Sequence, residues 1–170
     1  MINVVLFEPE IPQNTGNIMR TCAGTGVKLH LIKPLGFSLE EKYLKRSGAN
    51  YIEYCDYTVY ENFDDFCKKN KGTYYFLTRY GKKTHTSFDY SNPKEKIYLI
   101  FGKESTGIPK HILKNHLDTC MRIPMNENIR ALNLANTVAI MVYEVLRQQN
   151  YPNLLTSEPF KGEDYLLTED

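Results

Sequence analysis

The chain is 170 residues long, 42% hydrophobic and 24% charged, and carries 21 Lys+Arg against 20 Asp+Glu for a formal net charge of +1. That length predicts a single domain, which buries about 70% of its unfolded surface and needs no disulfide or metal to be stable. The composition excludes a disordered or collagenous chain, and the balanced charge excludes a histone-like protein held to nucleic acid by bulk positive charge.

Ile2–Phe7 is apolar and β-branched and runs into Glu8-Pro9-Glu10-Ile11-Pro12. This reads as a strand leading into a rigid loop. A helix is expected from about Thr15 to Gly24, stopping at Gly26 as a left-handed cap. Lys28–Ile32 reads as a second strand, ended by Pro34 and Gly36. Glu40–Arg46 predicts a short polar helix before Gly48, and Asn62–Asn70 another. Tyr74–Thr78 and Ile97–Phe101 are short apolar runs of the kind that buried parallel strands make.

Pro109 suits the first turn of a short helix reaching about Asn115, and Cys120–Ile123 reads as a last short strand. A long helix then runs from Asn133 to Gln149, with Leu134, Val138, Met141, Val142 and Val145 on one stripe. Ala135, Ala139 and Ile140 widen that apolar surface, so the helix is expected to be buried on more than one side, in a core or a subunit interface. Strands alternating with helices predict an α/β fold, an open and mostly parallel sheet with helices on both faces.

Cys22, Cys55, Cys67 and Cys120 are spaced 33, 12 and 53 residues apart, without a C-x-x-C pair. With no basic leader at Met1 and no apolar run near the roughly 18 residues of a membrane span, reduced thiols in a cytoplasmic protein are expected. His30, His85, His111 and His116 lack metal-ligand spacing and are expected to be structural or surface residues, with no metal site.

Three loops at strand ends are unlike ordinary connectors. The first is Pro12-Gln13-Asn14-Thr15-Gly16-Asn17-Ile18-Met19-Arg20, where helical periodicity holds Asn17 and Arg20 off the core face of Ile18 and Cys22. An arginine there, close to a helix N-terminus, suits an anion, though a plain exposed arginine fits equally. The second is Phe101-Gly102-Lys103-Glu104-Ser105-Thr106-Gly107-Ile108-Pro109. It fails the Walker A pattern because Gly107 precedes Ile108, and Gly24-x-Gly26 fails the Rossmann pattern because it closes a helix. Gly102 then admits either a close ligand approach or a tight turn. The third loop, Arg122 to Asn133, leads into the long helix with Asn133 as its N-cap. In open α/β sheets such strand-end loops are where ligands bind.

In this order the loops Asn14-Thr15-Gly16-Asn17-Ile18-Met19-Arg20, Phe101-Gly102-x-Glu104-x-x-Gly107-Ile108-Pro109 and Arg122-Ile123-Pro124-Met125…Arg130-x-Leu132-Asn133-Leu134 resemble the three motifs of SPOUT-class RNA ribose 2′-O-methyltransferases. The match covers about residues 1–150, and the opening Glu8–Asn17 is most similar to the minimal TrmL (YibK-type) family. The resemblance implies a SPOUT fold with a C-terminal trefoil knot, which departs from the usual unknotted chain. It implies S-adenosylmethionine as methyl donor, a homodimer packed through the long last helix, and the wobble ribose (C34 or U34) of leucine tRNAs as target. Carried over residue by residue, it assigns cofactor contacts to Leu77, Gly102, Ile123, Ala131 and Leu132, and reaction-site roles to Asn14, Arg20, Glu104 and Asn133. Arg20 is expected to hold phosphate and a developing alkoxide, because a guanidinium surrenders its proton very reluctantly. Ala131 stands where the family usually has serine. Two other readings accompany this one, methylation of another tRNA or rRNA nucleotide and a non-catalytic RNA-binding α/β protein.

The even charge conceals a division. Residues 151–170 hold one Lys against five acids, so residues 1–150 hold 20 Lys+Arg against 15 Asp+Glu. We read residues 1–150 as a basic catalytic domain and residues 151–170 as an acidic appendage. Arg20, Lys42, Lys45, Arg46, Lys82 and Lys83 are candidates for an RNA-facing patch on that domain.

Overall fold

The computed structural model describes residues 1–46 and 51–169. Its centre is β1 (Ile2–Phe7), in which every residue is buried. A strand surrounded on both faces and both edges reads as a nearly continuous apolar run, and this one does, broken only by the buried Asn3. β1 pairs in parallel with β2 (Lys28–Ile32) on one edge and β6 (Ile97–Phe101) on the other, so that Val5 faces both His30 and Ile100. β3 (Tyr57–Tyr60), β4 (Thr73–Leu77), β5 (Lys83–Thr84) and β7 (Cys120–Arg122) complete a seven-stranded sheet in the order β3-β2-β1-β6-β4-β7-β5. Every ladder is parallel.

Alternation along the strands sends side chains to two cores. Val4, Leu6, Leu29, Leu31 and Leu99 face α1 (Pro12–Thr25) and α5 (Leu134–Gln148), which pack together. Val5, Phe7, Ile32 and Ile100 face the opposite side, where Phe66 of α3 (Phe63–Lys69) and Ile112 and Leu113 of α4 (Lys110–Leu113) cover them. The expected open sheet with helices on both faces is the observed one, and it is parallel throughout.

One helix start and two strands differ most from expectation. α1 starts at Pro12 rather than Thr15, because proline's fixed φ and missing N–H suit the first helical turn. Its end at Gly26, φ +68, is the left-handed cap expected. β3 and β5 were not anticipated. The α2 helix (Glu41–Arg46) follows the polar segment as expected, while its anticipated stop at Gly48 lies outside the described residues.

In α5 the stripe Val138, Met141, Val142 and Val145 is fully buried. The widened apolar surface goes further than one chain covers, because Ile140 stays 39% exposed and Tyr143 50% exposed. Residues beyond the helix are fastened at Leu154, which packs against the core, and from Leu155 to Glu169 nearly every side chain is exposed.

In the middle of β2, His30 (1% exposed) sits between the Tyr60 hydroxyl, 2.8 Å from Nδ1, and Asn3 Oδ1, 3.0 Å from Nε2. The Asn3 amide donates to the Ile97 carbonyl, which leaves its oxygen to accept from Nε2–H and leaves Nδ1 to accept from Tyr60. A neutral ring is therefore fully satisfied, and burial, aided by Lys28, pushes its pKa down from 6.5 to about 4. A histidine held neutral by the fold contributes stability above the unfolded pKa, and that contribution drains away as pH falls from 6.5 toward 4. The expected loss over this window is about 3 kcal/mol, at about 1.4 kcal/mol per unit. Urea unfolding at pH 7 and pH 4.5 measures it, and His30→Asn should flatten the difference.

Candidate functional site

Because β1, β6, β4 and β7 are adjacent and parallel, the loops leaving their C-terminal ends converge. Between them lies a cavity of about 770 Å³. Leu77, Phe101, Ile108, Ile123, Leu132 and Leu134 give it an apolar wall. Asn14, Glu104, Asn133 and Thr137 supply polar groups, and Arg79, Arg122 and Arg130 also line it. Volume and lining suit an organic ligand with an apolar body and a few polar ends.

Asn14, Leu77, Gly102, Glu104, Ile123, Ala131, Leu132 and Asn133 all line this cavity. Arg20 does not. As periodicity indicated, it stands on the exposed side of α1, and its guanidinium lies 4.9 Å from the centre of the Tyr51 ring. With Ala23, Gly24, Tyr51 and Tyr54 it lines a separate groove of about 390 Å³.

The three motif loops are tied together by side chains. Glu104 accepts from the backbone N–H of Glu10 at 2.8 Å and of Ile11 at 3.0 Å, and from the Asn14 amide at 3.2 Å. The Asn14 oxygen accepts from the Asn133 amide at 2.9 Å. The Asn133 oxygen in turn accepts from Ala135 N–H at 2.9 Å and Asn136 N–H at 3.3 Å, capping α5. One carboxylate and two amides thus connect the start of α1, the loop after β6 and the start of α5. Asn14 is buried between its two partners, and both ends of its amide are used.

Two further contacts reinforce the first pair of loops, and the sequence did not single out their residues. The Glu10 carboxylate accepts from the Ser105 N–H and hydroxyl, both at 2.9 Å, and these bonds hold its pKa below the usual carboxylate range. Lys103 Nζ lies 2.7 Å from Glu8 Oε2, and the carboxylate raises the lysine's pKa. Glu8 adopts a positive φ of 49°, a conformation that costs a non-glycine residue roughly 1–3 kcal/mol and persists only when its surroundings impose it.

The loop after β6 is itself tightly folded. Gly107, at φ +72, donates its N–H to the Lys103 carbonyl at 2.9 Å. A Cβ on Gly102 would lie 2.4 Å from the Gly107 carbonyl carbon and 2.5 Å from Ile108 N. Gly102 is therefore required first by the turn, which brings the loop's own backbone against it.

Of the cavity arginines, Arg122 and Arg130 stand in the third motif loop with no role assigned from the sequence, and Arg79 was not picked out. Arg79 lies over the Tyr80 ring at 4.8 Å, and among the described residues Arg79, Arg122 and Arg130 make no ion pair. They give the cavity a cationic rim suited to phosphate oxygens. Their position follows strand ends and loop paths that only the fold reveals.

Residues 1–143 match the family model described as SpoU rRNA Methylase family. A Geobacillus stearothermophilus protein, named as a candidate tRNA (cytidine(34)-2'-O)-methyltransferase, is 53% identical over 154 residues, covering 90% of this chain and 98% of its own. The tRNA (cytidine(34)-2'-O)-methyltransferase of Yersinia pestis is 42% identical over 165 residues, covering 93% of this chain and all of its own length. A solved structure concerned with the 2-OH methylation of C/U34 on tRNA superposes with a TM-score of 0.81 at 37% identity, over 88% of this chain and 97% of that one. An AdoMet-bound rRNA methyltransferase from Sinorhizobium meliloti shares the fold, with a TM-score of 0.73 at 23% identity over 86% of this chain and 56% of its own. With its three motif loops gathered around one cavity and the family match running through the whole sheet and into α5, the chain belongs to the SpoU methylase family.

Proposed function

We propose that the protein transfers a methyl group from S-adenosylmethionine to the ribose 2′-hydroxyl of the wobble nucleotide, C34 or U34, of leucine tRNAs. The observation that carries this reading is the Glu104–Asn14–Asn133 chain, which closes the three motif loops around a cavity of about 770 Å³. The relatives named for cytidine 34 supply the substrate class.

When bound, S-adenosylmethionine supplies an already activated methyl group. Leu77, Ile123 and Leu132 suit its apolar parts, and the Gly102 and Ala131 segments suit backbone contacts. Ala131 offers no hydroxyl, so binding there relies on the main chain. The protein's own contribution is positioning and electrostatics, and placing the 2′-oxygen in line with the methyl carbon supplies several kcal/mol of barrier lowering. Glu104 and Asn133 spend their hydrogen bonds on other loops, so we assign them to positioning the cavity. Arg20 stays cationic and holds RNA phosphate beside the reacting ribose, where its charge also favours the developing alkoxide.

The same reading includes a homodimer, supported by the apolar Ile140 and Tyr143 left exposed on α5. It includes a knotted chain path. β7 lies between β4 and β5, which residues 78–82 join, so this link crosses β7. A Cβ on Gly81 would come within 2.4 Å of the Met121 backbone, so the crossing is tight. Residues 1–150 form the catalytic body and residues 151–170 an acidic appendage to it. We place the enzyme in the cytoplasm, and among the described residues no helix is long and apolar enough to cross a membrane.

Incubating the purified protein with methyl-labelled S-adenosylmethionine and bulk tRNA, then mapping the label, tests this function. Label on the 2′-oxygen of nucleotide 34 of leucine tRNAs is expected. Label on another nucleotide would redirect the substrate, and RNA binding without transfer would overturn the enzymatic reading. Arg20→Lys is expected to slow transfer about 10- to 100-fold, the worth of a charge-assisted forked contact. Because Arg20 lies outside the cavity, the dissociation constant for S-adenosylmethionine should not move. Near-wild-type turnover in that variant would refute the need for a guanidinium.

A further inference from the structure

The groove beside Arg20 has a construction that the methyl-transfer cavity does not explain. One wall is a turn of 3-10 helix, Ile52–Tyr54, which presents the rings of Tyr51 (41% exposed) and Tyr54 (68% exposed) to solvent. The opposite wall is α1, which offers the small residues Ala23 and Gly24 there. A Cβ built on Gly24 would meet nothing within 4 Å, so the space between the walls is open. The tyrosine wall is anchored from behind. Cys55 is buried against α1 beside Cys22, Ile52 packs on the core, and Cys55 N–H donates to the Ile52 carbonyl at 3.1 Å. Two aromatic faces are thus held out on a fixed support, where tyrosines serving only to pack the core would be covered.

Arg20 stands at the mouth of this groove. Its guanidinium lies against the Tyr51 ring, and among the described residues it makes no ion pair or hydrogen bond. An exposed aromatic face beside an unneutralised guanidinium matches the two parts of an unpaired nucleotide. The ring takes the base by stacking, and the guanidinium takes its phosphate. A groove of about 390 Å³ falls within the size range of small-ligand sites.

We infer that the groove between α1 and Tyr51–Tyr54 holds an unstacked RNA nucleotide adjoining the methylated one, with Tyr54 and Tyr51 stacking on its base and Arg20 holding its phosphate. This rests on the proposed RNA methyl transfer and deepens it, since it names the residues that grip the strand outside the cavity. Stacking accepts any base face, so the grip favours single-stranded loop over duplex and does not read base identity.

The test compares wild type with Tyr54→Ala, Tyr51→Ala and Tyr54→Phe, using an unmodified leucine tRNA transcript. Each alanine variant is expected to raise the KM for tRNA about 10-fold, the usual effect of removing one stacking partner. Tyr54→Phe, which keeps the ring, should stay within about 2-fold of wild type, and the dissociation constant for S-adenosylmethionine should be the same in all four proteins. A KM for Tyr54→Ala within 2-fold of wild type would overturn the inference. So would an equal loss in Tyr54→Phe, which would assign the effect to the hydroxyl. If wild type transfers no methyl to tRNA, the proposed function fails separately, and dissociation constants for the same RNA then decide the groove. Weaker binding by the alanine variants alone would support it, and equal binding by all four would overturn it.

Discussion

Gly102→Ala is expected to abolish methyl transfer and to lower the thermal unfolding midpoint by about 6–12 °C, the equivalent of about 3 kcal/mol in a chain of this size. The added methyl would lie 2.4 Å from the Gly107 carbonyl carbon and 2.5 Å from Ile108 N. Both are backbone atoms, so no side-chain rotation relieves the clash and the loop itself has to move. That loop carries Glu104 and Ser105, which grip Ile11 and Glu10 on the other side of the cavity, so the displacement reaches the first motif. Gly24→Ala serves as the control. Gly24 lies within α1, and an added Cβ there meets nothing within 4 Å. That substitution should leave stability unchanged or raise it by about 0.5–1 kcal/mol through helix propensity. Calorimetry on the two variants and wild type gives the comparison, and a Gly102→Ala protein with an unshifted midpoint would show that the turn is not closed as described.

What the sequence revealed of the fold followed from burial. β1, β2, β4 and β6 are short, largely apolar segments because they lie inside a parallel sheet covered on both faces, and such segments can be read directly. β3 is the outer strand. Tyr57, Thr58 and Val59 are only half-buried, and a four-residue run of that kind is hard to separate from a loop. β5 is two exposed residues, Lys83 and Thr84, with no apolar signal at all. It is a strand only because β7 runs beside it, a long-range fact that local pattern does not hold.

The site divides in the same way. Glycines and prolines marked the loops, and the resemblance to a known family supplied residues that do line one cavity. Their contacts to one another stayed hidden. Asn14 and Glu104 are 90 residues apart and Asn14 and Asn133 are 119 apart, so nothing local shows that they touch. Glu8, Glu10, Lys103 and Ser105 look like ordinary polar loop residues until the loops after β1 and β6 are seen face to face. Periodicity did place Arg20 on the exposed side of α1. It had no means of showing that the neighbouring surface would be Tyr51 and Tyr54 rather than the cofactor cavity.

The Glu104–Asn14–Asn133 chain gives the second large effect. Glu104→Ala removes the acceptor for three donors, the N–H groups of Glu10 and Ile11 and the Asn14 amide. Hydrogen bonds to a carboxylate are worth about 1.5–3 kcal/mol each, and water replaces part of that at a half-buried position, so a net loss of about 2–3 kcal/mol is expected. Asn133→Ala removes the α5 cap and the other partner of Asn14, at a cost of about 1 kcal/mol for the cap alone. Both variants loosen the same asparagine, so their combined effect should fall short of the sum, with a coupling of at least about 0.5 kcal/mol. A reacting group and a positioning group predict different outcomes here. Loss of a group that touches the reacting atoms lowers kcat and leaves stability and cofactor affinity in place. Loss of a positioning group weakens S-adenosylmethionine binding and lowers the midpoint together with the rate, because the cavity walls separate. We expect the second pattern for Glu104, with methyl transfer at least about 100-fold slower as the loops lose their alignment. Thermal unfolding, isothermal titration with S-adenosylmethionine and single-turnover transfer on the two single variants and the double variant would establish it. A Glu104→Ala protein with wild-type stability and cofactor affinity but no turnover would return the glutamate to the chemistry itself.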